Sequence, residues 1–488
     1  IGPQSNPRPR RIAPCLAQDR SLEFVFNWFL RFPRAFFCPR SEYPRGSFRD
    51  PLSLDARAPL WASIPSGRVE ATLGPSLVIA FPRRYLSVLL AIALLAAMGP
   101  AGCERPPAGA RAPVPKPVVQ VTDEGLTQRS DARPRGLWVL CEGSQRPLED
   151  LARLPPLLDT AVSLGVTDLF VQVYRGGRSW YASDLADASP YRELVAKTGA
   201  DTLATLIGAA HDRGLRVHAW VNVLSLSQNR DARILEVLGP EAVLVDRAGR
   251  SLLDYPGFEV PGPDGAWYRM GTRGLYLDPA APGVAERLVA TFTELVTRYP
   301  ELDGLHLDYV RHPGVLPFVP GSRFGVGLDF GYGLASRLRF QQETGLRGPY
   351  ADPDAPSRDS LVNANRWDAW RREKVSELVA AVARSGREAR PGLVVSAAVI
   401  AYADRAYLSL AQDWLGWLKA GSIDLAIPMA YTLDDRLLGY QLDHFGRSAE
   451  RERIWSGLGV WLFARSPEGA VEQIEIARAA GLVGEVLF

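Results

Sequence analysis

From residue 133 onward, short apolar runs alternate with longer stretches whose apolar residues recur every three or four positions. The short runs predict strands at Gly136–Cys141, Asp168–Tyr174, Arg216–Val223, Gly304–Val310, Leu393–Ile400, Leu425–Tyr431, Ile454–Phe463 and Gly484–Phe488. The longer stretches predict helices at Leu148–Leu164, Thr202–Arg213, Pro282–Arg298, Asn365–Glu388, Leu408–Ala420, Leu437–Ala449 and Pro467–Ala480. Asp201-Thr202-Leu203 has the form of a helix N-cap, and Gly165, Gly214 and Gly481 stand where helices end. Near-continuous apolar strands alternating with helices belong in a parallel sheet covered on both faces. Eight of them predict an α/β fold, a (β/α)8 TIM barrel, which needs about 250 residues. Residues 133–488 exceed that and leave two long loops, 225–280 after the third strand and 311–363 after the fourth. An open doubly wound sheet is the alternative, but no GxGxxG follows the first strand. In a barrel both loops leave the C-terminal strand ends, the face on which such folds carry chemistry.

The fourth strand is the most informative. In Asp303-Gly304-Leu305-His306-Leu307-Asp308-Tyr309-Val310-Arg311-His312-Pro313, polar and apolar residues alternate. Period two places His306 and Asp308 on one face and Leu305 and Leu307 on the other. The leucines suit the helices, so Asp308 points into the barrel near its top. A carboxylate there is costly unless it is paired or used. The purely structural reading pairs it with Arg311 or an Arg of a neighbouring strand. Asp303, at the bottom, reads as a cap or turn residue.

Seven segments occur in a telling order. They are Arg135-Gly136-Leu137-Trp138; Gln172-Val173-Tyr174-Arg175 with Trp180-Tyr181; His218-Ala219-Trp220-Val221-Asn222; Leu277-Asp278-Pro279; Asp303 to Tyr309; Gln412-Asp413-Trp414; and Pro428-Met429-Ala430-Tyr431-Thr432. Together they resemble the glycosyl-hydrolase-like family ten, bacterial envelope lipoproteins with a glycosidase-type barrel, over roughly residues 133–488. The resemblance implies hydrolysis of a cell-envelope or extracellular polysaccharide, with peptidoglycan glycan strands ranked first. The same residues are distantly similar to chitinase-type barrels. There Asp303 and Asp308 match, His306 replaces an Asp, and Val310 stands at the position of the catalytic Glu. Nothing at 310 can protonate a leaving group, so that mechanism is not expected.

A glycosidase usually needs two carboxyls. Asp308 is the first candidate, and Glu142, just past strand one, is the second. Asp278 either joins the site or caps the third helix through Asp278-Pro279, and Asp434 and Asp435 follow strand six. Gln172, Tyr174, His218, Trp220, Asn222, His306, Tyr431 and Trp461 are candidates for binding hydroxyls and stacking on sugar rings. Among them His218, Trp220 and Asn222 share a face, as do Gln172 and Tyr174. Trp138 and Trp220 equally suit barrel packing. Arg175 and Arg311 follow strands and suit an anionic group such as the lactyl carboxylate of a muramic acid. A non-catalytic carbohydrate-binding lipoprotein is the first rival reading. A metal-dependent hydrolase on Asp308, His306 and His218 is the second, and the metal-ligand spacing for it is weak.

Composition narrows this further. The chain has 488 residues, is 47% hydrophobic and 23% charged, and carries a net charge of +2, with no basic run interleaved with aromatics in the globular part. No nucleic-acid partner is expected. Four Cys make neither a disulfide framework nor a zinc pattern, so no metal and no cofactor are expected, and a monomer is. The chain begins at Ile1 and ends on a strand, which suggests an open-reading-frame fragment truncated at Phe488. Residues 1–77 read as a non-native or disordered extension with the true start near Val78. Arg83-Arg84, the apolar run Leu86–Met98 and a small-residue exit make residues 78–103 a secretory signal peptide, since the run is too short to span a bilayer. Pro100-Ala101-Gly102-Cys103 resembles a lipobox, so Cys103 is the expected lipid attachment and residues 104–132 a flexible tether. That places the barrel across the inner membrane, lipid-anchored in the cell envelope.

Overall fold

The computed structural model describes residues 133–143, 146–317, 328–352 and 361–488. The extension, the signal segment with Cys103 and the tether lie outside them. Eight parallel strands form the barrel: β1 (Arg135–Val139), β2 (Asp168–Arg175), β3 (Arg216–Asn222), β4 (Gly304–Asp308), β5 (Val394–Ile400), β6 (Leu425–Met429), β7 (Trp455–Leu458) and β8 (Gly484–Leu487). Each pairs with the next in sequence, and β1 pairs with both β2 and β8, so the sheet closes. The barrel helices α1 (Leu154–Ser163), α2 (Thr202–His211), α3 (Val284–Arg298), α4 (Ala364–Ala389), α5 (Trp414–Lys419), α6 (Asp435–Gly446) and α7 (Pro467–Ala479) follow β1 to β7 in turn. This is the (β/α)8 barrel that the alternation predicts.

The two faces of each strand bury different things. Leu169, Val171, Val217, Leu305 and Leu307 pack outward against the helices. Trp138, Phe170, Trp220, Ala398, Leu425, Ile427 and Val486 fill the interior. Burying such side chains is worth about 1.5–3 kcal/mol each, so the lower barrel is a packed core and leaves only its top for chemistry. Helix starts follow their caps: the Asp201 carboxylate accepts from the Ala204 N–H at 3.0 Å at the head of α2.

Three local expectations fail for visible reasons. Strand seven stops at Leu458, and Val460–Phe463 form a 3-10 turn. That turn buries Val460 and Phe463, so its apolar run looks like strand. The predicted helix Leu408–Ala420 is two helices, Ala403–Ser409 and α5. Between them Ala411 takes φ 53°, and Asp413 caps α5 through the Gly416 N–H. Gln172 and Tyr174 do not share a face. The register of β2 against β3 shifts between them. Tyr174 therefore turns outward and packs edge-on to Phe292 of α3, with ring centroids 5.3 Å apart.

The two long loops are stitched together. Ser225–Ser227 pair with Leu275–Tyr276 inside the first. Tyr268–Met270 of the first pair antiparallel with Val315–Pro317 of the second. The Gly331 and Tyr332 N–H groups both donate to the Val245 carbonyl, at 2.9 and 3.0 Å. One continuous wall thus rises above β3 and β4. Its own small core is Tyr332, Phe340, Tyr350, Trp367 and Trp370.

Candidate active site

Asp308 ends β4, side chain inward and 5% exposed. Trp220 Nε1 on β3 donates to its Oδ2 at 3.1 Å, and the Tyr309 N–H donates to its Oδ1 at 2.6 Å. The chain turns sharply just beyond this bond: Tyr309 takes φ 51°, a left-handed conformation that a bulky residue rarely adopts. Strain of this kind is held by surrounding structure and gathers at functional sites. Here the Val223 N–H holds the Asp308 carbonyl at 2.8 Å. Burial pushes the Asp308 carboxyl up to about 6, against the opposing pull of the Tyr309 N–H, the Arg311 charge and Trp220. Desolvation wins over three favourable partners, so this carboxyl exchanges its proton near neutral pH.

Around it the barrel top is polar on one side and aromatic on the other. Asn222 lies opposite Asp308 in the β3–β4 register. Gln172 Nε2 donates to Asn222 Oδ1 at 3.3 Å, and the Cys141 thiol donates to Gln172 Oε1 at the same distance. Burial holds that thiol protonated, so Cys141 is an inert support. Tyr431 stacks on Phe488, centroids 6.0 Å apart, and meets Trp138 edge-on. The Asp308 charge also acts on the Tyr431 hydroxyl, whose proton is held well above the ordinary tyrosine range, chiefly by burial.

Glu142 sits beyond β1, partly exposed and clamped by two cations. Arg175 Nη1 reaches its Oε2 at 3.1 Å, and Arg178 Nη2 its Oε1 at 3.2 Å. The Arg175 charge also acts on the Tyr309 hydroxyl. Arg311 is buried, with its guanidinium 5.1 Å from the centre of the Tyr309 ring.

The two histidines are occupied elsewhere. Trp138 Nε1 donates to His306 Nε2 at 3.0 Å, and a Trp nitrogen only donates. His306 is therefore protonated at Nδ1, which faces Ser396 Oγ at 2.9 Å. Burial holds its ring neutral. Both nitrogens are taken and no surface remains, so His306 braces Trp138 beneath the site and offers no group to a substrate. His218 lies four residues below Asn222 on β3, at the bottom of the barrel. Its Nε2 meets Asp168 Oδ1 at 2.9 Å, and Arg216 grips the same carboxylate from outside. Burial alone would raise the Asp168 carboxyl, but the hydrogen bonds from His218 and Arg216 bring it down to about 2. Among the described residues, no group of three His, Cys, Asp or Glu side chains is placed to hold a metal ion.

The remaining acids are structural. Asp278 does not cap α3, whose N-cap is Gly283. Its carboxylate accepts from the Ala280 N–H at 2.9 Å and from Ser336 Oγ at 2.7 Å, pinning the two loops together. Burial raises its proton affinity too, yet its oxygens are engaged within the wall. Asp434 caps α6 through the Arg436 and Leu437 N–H groups, and Asp435 accepts from Gln473. Asp303 accepts from the Val217 N–H at 2.7 Å, as its position below the strand suggests. Sequence reasoning gave no role to Tyr309 or Ser396. Nothing in the residue order marks a left-handed tyrosine, or a serine that braces a histidine 90 residues away.

Comparison with known proteins identifies the family. A family model described as glycosyl hydrolase-like 10 matches residues 134–444. The glycosyl hydrolase DigH of Escherichia coli K12 is 24% identical over 387 residues, covering 71% of this chain and 75% of that protein. The glycosyl hydrolase YngK of Bacillus subtilis is 23% identical over 292 residues, covering 56% of this chain and 48% of that protein. Among solved structures, the catalytic domain of a β-amylase from Paenibacillus polymyxa superposes with a TM-score of 0.45 at 12% identity, over 73% of this chain and 92% of that one. The chain belongs to the glycosyl hydrolase-like 10 family and is a glycoside hydrolase.

Proposed function

We propose that this protein hydrolyses a bacterial cell-envelope polysaccharide, the glycan strands of peptidoglycan first, with Asp308 as the proton donor. The observation that carries the reading is the buried Asp308 carboxyl, its affinity for a proton raised to about 6. A glycosidic oxygen leaves as an alcohol only if it is protonated as the C–O bond breaks, and a carboxyl tuned in this way supplies that proton. Water then adds to the sugar carbon and its proton passes to the second carboxylate, for which Glu142 is the candidate. Gln172, Asn222 and Tyr431 line the approach and hydrogen-bond or stack on the sugar. The protein acts as a monomer without a cofactor. It is secreted through the segment 78–103 and anchored by lipid on Cys103; Cys103→Ala should move it from the membrane fraction to the soluble envelope fraction, and unchanged fractionation would remove the anchor.

The test is reducing-end release from peptide-free peptidoglycan strands, measured across pH. With Asp308 as the acid, kcat/KM should fall tenfold per unit above about pH 6, with a plateau below it that ends only where the second carboxylate takes up a proton. Loss on the acid side instead would make Asp308 the base or nucleophile. The clamping of Glu142 by Arg175 and Arg178 favours one rival, a barrel that binds glycan without cutting it. Retention on the strands with no reducing ends released would establish that rival.

A further inference from the structure

Three cationic side chains in the wall and site are buried to 6–7% exposure: Arg371, Lys374 and Arg311. The protein gives two of them carboxylate partners, although the Arg371 Nε, like that of Arg311, has no hydrogen bond. Arg371 meets Asp329 and Asp368, both at 2.6 Å, and Lys374 meets Glu343 and Glu377, both at 2.8 Å. Arg311 has no such pair. Its Nη1 donates to the neighbouring His312 carbonyl at 3.1 Å, its Nε has no partner, and its plane lies over Tyr309. Among the described residues no carboxylate lies within ion-pair distance of it. A desolvated guanidinium left this way is costly, far more so than the paired Arg371. Its charge does reach Asp308, three residues away, but that carboxyl takes up a proton near pH 6, and the site then holds an uncompensated positive charge.

We infer that Arg311 is a carboxylate subsite: the glycan cut at Asp308 carries an acid group on a sugar bound beside the cleaved linkage, and that group pairs with the Arg311 guanidinium. The chemical class is a sugar acid, whether a lactyl ether or a uronic carboxylate. Arg suits this role because its fork of N–H donors matches a carboxylate's two oxygens. A substrate anion would also replace, at the moment of binding, the counter-charge that the fold withholds. The inference rests on the glycosidase reading of the Asp308 site and adds what that site selects.

The experiment compares peptide-free peptidoglycan strands in native form with the same strands after carbodiimide activation and borohydride reduction of their carboxyls. Both cleavage and retention by pelleting are measured. The parent should prefer native strands by about 10- to 100-fold in kcat/KM, the worth of one charge-assisted pair. Arg311→Gln should bring that ratio close to one, and Arg311→Lys should keep part of it. Equal use of both glycans by the parent overturns the subsite and leaves the hydrolase standing. So does an Arg311→Gln variant that loses both substrates in equal proportion, which is what a purely structural Arg predicts. Selective retention of native strands without cleavage keeps the subsite and removes the hydrolase. Neither cleavage nor retention removes both.

Discussion

Asp308→Asn should lower kcat/KM for glycan hydrolysis by roughly 10²- to 10⁴-fold, the usual contribution of a positioned proton donor, in a protein that still folds. Folding survives because two effects oppose. The new amide can accept from only one of the two N–H groups that now reach the carboxylate, from Tyr309 and Trp220. Leaving the other without an acceptor costs about 1–3 kcal/mol. Against this, the substitution removes a charge that the fold has desolvated. A carboxyl raised from 3.8 to about 6 penalises the ionised native state by about 3 kcal/mol.

The pH dependence separates these effects. The native state holds the Asp308 proton more tightly than the unfolded chain does. Its penalty is thus absent below the unfolded value near pH 4 and complete above about pH 6. The Tm of the variant minus that of the parent should therefore rise between pH 4 and pH 8. Parallel thermal melts followed by circular dichroism check it. A difference that stays flat with pH would mean the carboxyl is not desolvated, and full activity in the variant would take Asp308 out of the chemistry.

The period-two pattern was enough to read which way Asp308 faces, because strand geometry alone fixes it. Leu305 and Leu307 pack outward and Asp308 inward for the same reason. The face of Tyr174 is not legible in its own strand, because a register shift in β2 is a property of two strands. His306 looked available because a strand shows only its own residues. Its two partners, Trp138 and Ser396, come from β1 and β5, and only closure of the barrel brings them to it. The clamp on Glu142 has the same origin, since Arg175 and Arg178 belong to the next strand and its hairpin. Backbone direction is local and was legible; saturation of a polar side chain is tertiary and was not.

Gly304 is a residue that the period-two pattern of its strand does not mark. It opens β4 directly beneath His306 and Asp308. A Cβ added there would lie 2.1 Å from His218 Nδ1 and 2.7 Å from the Val394 carbonyl oxygen. Neither neighbour is free to move. His218 is held by Asp168 and stacked on Phe170 at 4.7 Å, and Val394 is the β5 residue in register with Gly304. Gly304→Ala must therefore break the buried His218–Asp168 contact or part β4 from β5. Leaving a buried hydrogen-bonding group without its partner costs about 1–3 kcal/mol, which for a barrel of this size lowers Tm by a few degrees. The double variant Gly304→Ala with His218→Ala identifies the cause, because the alanine at 218 removes the nearest clash. Gly304→Ala should cost less in that background than in the parent, as a double-mutant cycle on Tm and denaturant midpoint reads directly. An unchanged cost would put the strain at the Val394 carbonyl, and a single variant as stable as the parent would show that the barrel floor yields. Loss of register at Gly304 would also tilt the strand that aims Asp308, so activity should fall in the single variant at temperatures well below its Tm.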